Sequence, residues 1–148
     1  MTVAGVELRQ ASLADAEFIY RLVEVTMRSY VEQIWGSFSE ELNRQNIAET
    51  IAAKNYSIIQ CRGENIGAIS VERHADFIEL SQLFILPQHQ NKGIGTSLVR
   101  TLALEARQGG MPLRLRVLKS NPALCLYERL GFRVSSTTPE RVYMELNA

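Results

Sequence analysis

Apolar residues recur at helical spacing through Leu13, Ala16, Tyr20, Val23, Met27 and Tyr30, which predicts a first helix of about five turns behind a short strand at residues 6–9. Ser12, with Asp15 three positions later, resembles a capping box at its start. A second helix is expected over residues 39–54, with Glu40 and Glu41 in its first turn and Leu42, Ile47 and Ile51 on one side. The period then changes. Residues 56–61, 66–72 and 77–86 are β-branched or aromatic runs separated by short polar segments, the mark of three antiparallel strands joined by tight turns. Leu98, Leu102 and Ala106 return to helical spacing within residues 93–107, and Gly109 and Gly110 stop that helix. Residues 113–118 alternate as a strand, Asn121 and Pro122 open a last helix that ends at Gly131, and strands follow from Phe132 and from Arg141. The order is βααβββαβαββ, an α/β (α+β) chain with a mixed, mostly antiparallel central sheet flanked by helices.

No repeat, low-complexity tract or linker interrupts the 148 residues, so one domain over 1–148 is expected. Sixteen basic residues balance sixteen acidic ones. Without a broad positive field, neither a nucleic acid nor an anionic membrane is expected as a partner. No run approaches the 18 apolar residues of a spanning helix and residues 1–13 lack a signal-peptide pattern, which together predict a cytoplasmic protein. Cys61 and Cys125 fall in strand and helix patterns and read as structural thiols, with a nucleophile or a disulfide as the alternative. His74 and His89 read as solvated turn residues. Ser81 lacks a recognisable triad partner, and no His, Asp, Glu or Cys set has metal-ligand spacing, so no metal is expected.

The chemistry concentrates where the strand at 77–86 is closed by Pro87 and followed by Gln90, Asn91, Lys92, Gly93, Ile94, Gly95 and Thr96 at the opening of a helix. Such a junction offers unpaired backbone N–H groups and the positive end of a helix dipole, and two glycines remove the Cβ atoms that would keep phosphate oxygens away. Lys92 adds a point charge. A dinucleotide fingerprint would require glycine where Leu98 stands. A nucleoside-triphosphate loop would place Lys and Ser/Thr after the second glycine, whereas Lys92 precedes Gly93.

Gln90-x-x-Gly93-x-Gly95 after Leu83-Phe84-Ile85-Leu86-Pro87 resembles the coenzyme A loop of the Gcn5-related N-acetyltransferases, the GNAT superfamily. The segment from Asn121 through Tyr127 to Gly131-Phe132, about 30 residues downstream, is similar to that family's last-helix motif. The resemblance covers essentially the whole chain.

It implies acetyl-CoA as co-substrate, without a metal, and central strands that splay apart to admit the pantetheine arm beside Leu83, Phe84 and Ile85. The pyrophosphate would sit on Gln90, Asn91, Lys92, Gly93, Ile94, Gly95 and Thr96. Glu79 matches the position of the general base in the histone-acetylating branch, and a solvated strand face is its alternative reading. Tyr127 stands where the family places the phenol that protonates the leaving thiolate. Asn121 is expected to meet the pantetheine or to cap the helix; its six-residue spacing to Tyr127 is one shorter than in many members. Acceptor recognition in this fold generally falls to the first two helices and their connection, here Tyr30, Glu32 and Trp35, where aromatics flanking a carboxylate suit a cationic amine; a helix end packing its aromatics into the core is the alternative reading. The implied function is acetyl transfer to a primary amine of a small molecule or protein. The alternatives are a non-catalytic acyl-CoA sensor, or an acyltransferase with a hydroxyl acceptor or a longer acyl chain. A homodimer is compatible with this reading.

Overall fold

The computed structural model describes residues 4–147, so the parts of the N-terminal and domain readings that fall on residues 1–3 and 148 lie outside the described residues. The chain runs as β1 (Val6–Gln10), a 3₁₀ turn (Leu13–Asp15), α1 (Ala16–Trp35), α2 (Glu40–Ala52), β2 (Tyr56–Cys61), β3 (Glu64–Arg73), β4 (Ile78–Ile85), a second 3₁₀ turn (Pro87–His89), α3 (Ile94–Gln108), β5 (Leu113–Leu118), α4 (Ala123–Arg129), β6 (Arg133–Thr137) and β7 (Arg141–Leu146). This is the order expected from the sequence, with element ends moved by a few residues. Seven strands form one sheet in the order β1-β2-β3-β4-β5-β7-β6. Every pairing is antiparallel except that of β4 with β5.

Local chemistry sets the element ends. The Ser12 amide donates to the Asp15 carboxylate at 2.8 Å, and Arg9 grips the same carboxylate with two bonds of 2.8 and 2.9 Å. That cluster ties β1 to the entrance of α1. Ser39 caps α2 by accepting from the Leu42 amide at 3.1 Å. Gly36, at φ +79°, ends α1 in the left-handed conformation that glycine adopts without a Cβ penalty.

Two apolar cores lie on opposite faces of the sheet. One packs Val99, Leu102 and Ala106 of α3 against Ile78, Leu80, Leu113, Leu115 and Met144. The other packs Ile19, Leu22 and Val23 of α1 and Ile47 and Ile51 of α2 against Ile58, Ala68 and Phe84. Leu80 and Phe84 are an even number of residues apart on one strand, yet they enter different cores. The cause is a β-bulge: Ser70 pairs with Gln82 and Val71 with Leu80, leaving Ser81 as the extra residue that switches the strand's faces. Gly67 allows the strands to approach beside the bulge, since a Cβ there would collide with the Phe84 carbonyl. Among the described residues no helix is long and apolar enough to cross a membrane.

Candidate active site

β4 and β5 pair only through Ile78–Leu113, Glu79–Arg114 and Leu80–Leu115, and then separate. The splay expected from the sequence is therefore present. Beyond Leu80, the backbone edge of β4 that faces β5 has no strand partner over residues 81–85. A cleft of about 510 Å³ fills the gap. Its walls come from residues 80–84, from residues 115–118, from Tyr127 and Asn121, and from the α1–α2 side through Val23, Met27, Trp35 and Asn43.

At the end of β4 the chain turns through Gln90 to Thr96 into α3. Gln90 folds back, its Nε2 donating to the Ile85 carbonyl at 2.9 Å, so its observed task is to close the turn. Asn91 and Gly93 both take positive φ, +61° and +80°, and Gly93 caps α3. The first helical bond runs from the Ser97 amide to the Gly93 carbonyl, which leaves the amides of Ile94, Gly95 and Thr96 ahead of it at the positive end of a 15-residue helix. Asn91, Lys92 and Gly93 are exposed. Gly95 has no positive φ, and a Cβ there would make only ordinary contact with Ile85 Cδ1 at 3.5 Å. Nothing within the chain requires glycine at 95.

Tyr127 is buried, edge-on to Phe132 with ring centroids 5.7 Å apart, and lines the cleft. Burial pushes its phenol up to about 12, so the hydroxyl stays protonated at neutral pH. No described group hydrogen-bonds to that hydroxyl. Asn121 takes the capping role: its Oδ1 accepts from the Ala123 amide at 2.9 Å, while Nδ2 faces Met27 Sδ at 3.9 Å and the residue still lines the cleft. Ser120 ties the same loop to α1 by donating to the Tyr30 carbonyl at 2.9 Å.

Glu79 does not line this cleft. It faces an adjoining depression with Phe77, Arg114, Tyr143 and Glu145, and Leu115 borders both spaces. Glu79 stands opposite Glu72 in the β3–β4 register, and carboxylate oxygens of both lie within 4.8 Å of each other and of a His74 ring nitrogen. Strand register, not linear spacing, assembles this group, the one set among the described residues with the reach to hold a metal ion. Ser81 connects it to the cleft: the bulged residue lines the cleft and donates from Oγ to Glu72 Oε2 at 3.0 Å.

The expected acceptor residues separate. Trp35, at the end of α1, lines the cleft, with the Arg141 guanidinium 5.2 Å from its ring centroid. Tyr30 and Glu32 do not line it. Glu32 is exposed and follows Glu24 and Arg28 along an outer ladder of α1, its carboxylate 3.5 Å from Arg28. An aromatic pair around a carboxylate is thus not what the α1 end presents. Ser81, Glu72, Arg116 and Arg141 are site residues that sequence reading missed; only the alternation of Arg114 and Arg116 with buried leucines hinted that β5 carries charge on one face. Cys61 and Cys125 are free thiols, His89 lies 3.7 Å from Glu64, and His74 stacks on Phe77 with centroids 4.3 Å apart.

Comparison with known proteins agrees with this geometry. Residues 51–134 match the family model described as an acetyltransferase (GNAT) domain. The aminoalkylphosphonate N-acetyltransferase of Salmonella typhimurium is 28% identical over 139 residues, covering 87% of this chain and 86% of that protein. The spermidine N(1)-acetyltransferase of Thermoplasma acidophilum is 27% identical, covering 95% and 96%. The crystal structure of the PaiA N-acetyltransferase from Thermoplasma acidophilum in complex with coenzyme A superposes with a TM-score of 0.72 at 22% identity, over 97% of this chain and 99% of that one.

Proposed function

We propose a specific reaction for a chain that belongs to the GNAT acetyltransferase family: transfer of the acetyl group of acetyl-CoA to a primary amine of a small molecule or protein, by direct attack on the thioester. The chain acts as a single domain over 1–148, with the cytoplasm as its compartment. The observation that carries the reading is the coincidence, in one cleft, of an unpartnered β4 edge leading onto the N-terminus of α3 and a phenol with no hydrogen-bond partner among the described residues. Both relatives named above act, by their names, on compounds that bear a primary amine.

In this reading the pyrophosphate rests on the loop from Gln90 to Thr96, where amides and the helix dipole neutralise it without a cation. The pantetheine lies along Leu83, Phe84 and Ile85 as a pseudo-strand, beside Asn121. A backbone amide of the Leu83, Phe84 and Ile85 segment supplies the oxyanion contact as the carbonyl carbon becomes tetrahedral. The amine nitrogen forms the new C–N bond and the C–S bond breaks. Tyr127 gives its hydrogen bond, and then its proton, to the departing sulfur.

The amine must also lose a proton, and no carboxylate lines the cleft. Ser81 supplies the link. Its hydroxyl donates toward Glu72, which leaves oxygen lone pairs free to receive a proton from the cleft while its own proton passes to Glu72 and from there, through water, to Glu79, whose carboxylate lies within 4.8 Å. Glu79 is then the base acting through a relay.

The experiment is to mix the protein with acetyl-CoA and a panel of amines, following free thiol and the acceptor's mass. Acetylated amine in equal amount to thiol supports the reading, and thiol release without any acetylated acceptor refutes it.

A further inference from the structure

We propose that the acceptor is a small amine that also carries an anionic group, a carboxylate or a phosphonate, held by Arg116 and Arg141. The inference rests on the reading that the cleft between β4 and β5 is the site of acetyl transfer. Two arginines and no acidic residue line that cleft, so its charge is positive.

Both guanidiniums are available. Arg116 alternates with the buried Leu115 and Val117 on β5 and so points away from the α3 core. Arg116 pairs across the sheet with Tyr143, and Leu118 with Arg141, which makes Arg116 and Arg141 diagonal neighbours on one face. Neither forms an ion pair with any described residue. Arg114, two residues earlier on the same strand face, is by contrast neutralised by Glu145 at 2.8 Å. The Trp35 ring holds the Arg141 cation from one side and leaves its in-plane N–H donors free. Two such forks side by side match the oxygens of a carboxylate or phosphonate.

The opposite charge lies on the neighbouring strands β3 and β4. Glu79 and Glu72 stand where β4 and β5 are still paired, and Ser81 is the contact between them and the cleft. An acceptor with its anion on the arginines therefore points its amine toward the proton relay. A polyamine would meet the arginines with like charge, and repulsion would work against it.

Matched acceptor pairs test this on the wild-type protein. An α-amino acid is compared with the amine lacking its carboxylate, and an aminoalkylphosphonate with the corresponding alkylamine; spermidine and a peptide with a free amino terminus complete the set. The member of at least one pair that carries the anionic group should have a kcat/KM about tenfold or more above its counterpart without that group and above spermidine. Which pair shows the gap identifies carboxylate or phosphonate. Arg116→Met and Arg141→Met should each shrink the ratio by about tenfold, with Arg116→Lys retaining part of it. Preference for spermidine, for the peptide or for the amines without an anionic group overturns the inference while leaving acetyl transfer intact. Acetyl-CoA binding with no member of the set acetylated also overturns it. Wild-type protein that binds no acetyl-CoA by calorimetry overturns the underlying reading instead.

Discussion

The Ser81 hydroxyl donates to the Glu72 carboxylate at 3.0 Å, joining the cleft between β4 and β5 to a pair of strand glutamates that do not enter it. If the amine's proton leaves by this route, Glu79→Gln should lower the rate by about 10²-fold at pH 7, and Ser81→Ala by about tenfold. Raising the pH should partly rescue both, because more of the amine then arrives neutral. Rate–pH profiles of the two variants check this. Wild-type profiles in both would remove the relay, whereas a pH-independent loss would make the residues structural.

Tyr127→Phe removes a hydroxyl that has no hydrogen-bond partner among the described residues, so the fold should keep its melting temperature. If the phenol acts on the leaving sulfur, turnover should fall by about ten- to a thousandfold, with acetyl-CoA affinity within a few fold. Since the phenol is pushed up to about 12, the wild-type rate should show no alkaline loss from its ionisation near neutrality. Unchanged single-turnover kinetics in Tyr127→Phe would reduce the residue to packing against Phe132.

Gly95→Ala separates ligand approach from folding. The chain has room for the added methyl, so thermal stability should change little, while acetyl-CoA affinity falls by about tenfold or more as the methyl meets the phosphates. Gly93→Val should weaken binding too, but with a loss of stability, because φ is +80° there. Calorimetry beside thermal melts distinguishes them; full affinity in Gly95→Ala would move the pyrophosphate off this loop.

Asp15 is a stability residue remote from the site. Arg9 holds its carboxyl below the usual range, chiefly by hydrogen bonding, with the Ser12 amide adding to the effect. A carboxyl depressed in the folded state contributes stability above its unfolded value that is lost as pH falls through the folded one. Asp15→Asn should therefore cost about 1–3 kcal/mol at pH 7 and progressively less in acid. Chemical denaturation at pH 7 and pH 3 measures the difference; an equal cost at both would rule out the charge as its source.

The fold was legible because its period changes are clean: three-to-four spacing through α1 and α3, β-branched runs from β2 to β4, and glycine where α3 opens and closes and where α4 ends. Gly93 and Tyr127 were legible as candidates because a glycine pair opening a helix and a tyrosine in a last-helix motif are local signals. Ser81 was not, since a bulge is a mismatch between two strands and leaves no trace in either alone. Glu72 and Glu79 meet through register, and Arg141 reaches Trp35 from a strand more than a hundred residues later in the chain. Arg116 alternates with leucines, the pattern of any solvated strand face.

The most direct test of acetyl transfer is a paired measurement on wild-type protein with acetyl-CoA and an amine: the rate of free-thiol release, and the mass of the acceptor at the end. The account predicts amine-dependent release, with one acetyl group gained by the acceptor for each thiol freed. Thiol release that is the same with and without every amine in the set, or no release at all from protein that binds acetyl-CoA, would contradict it.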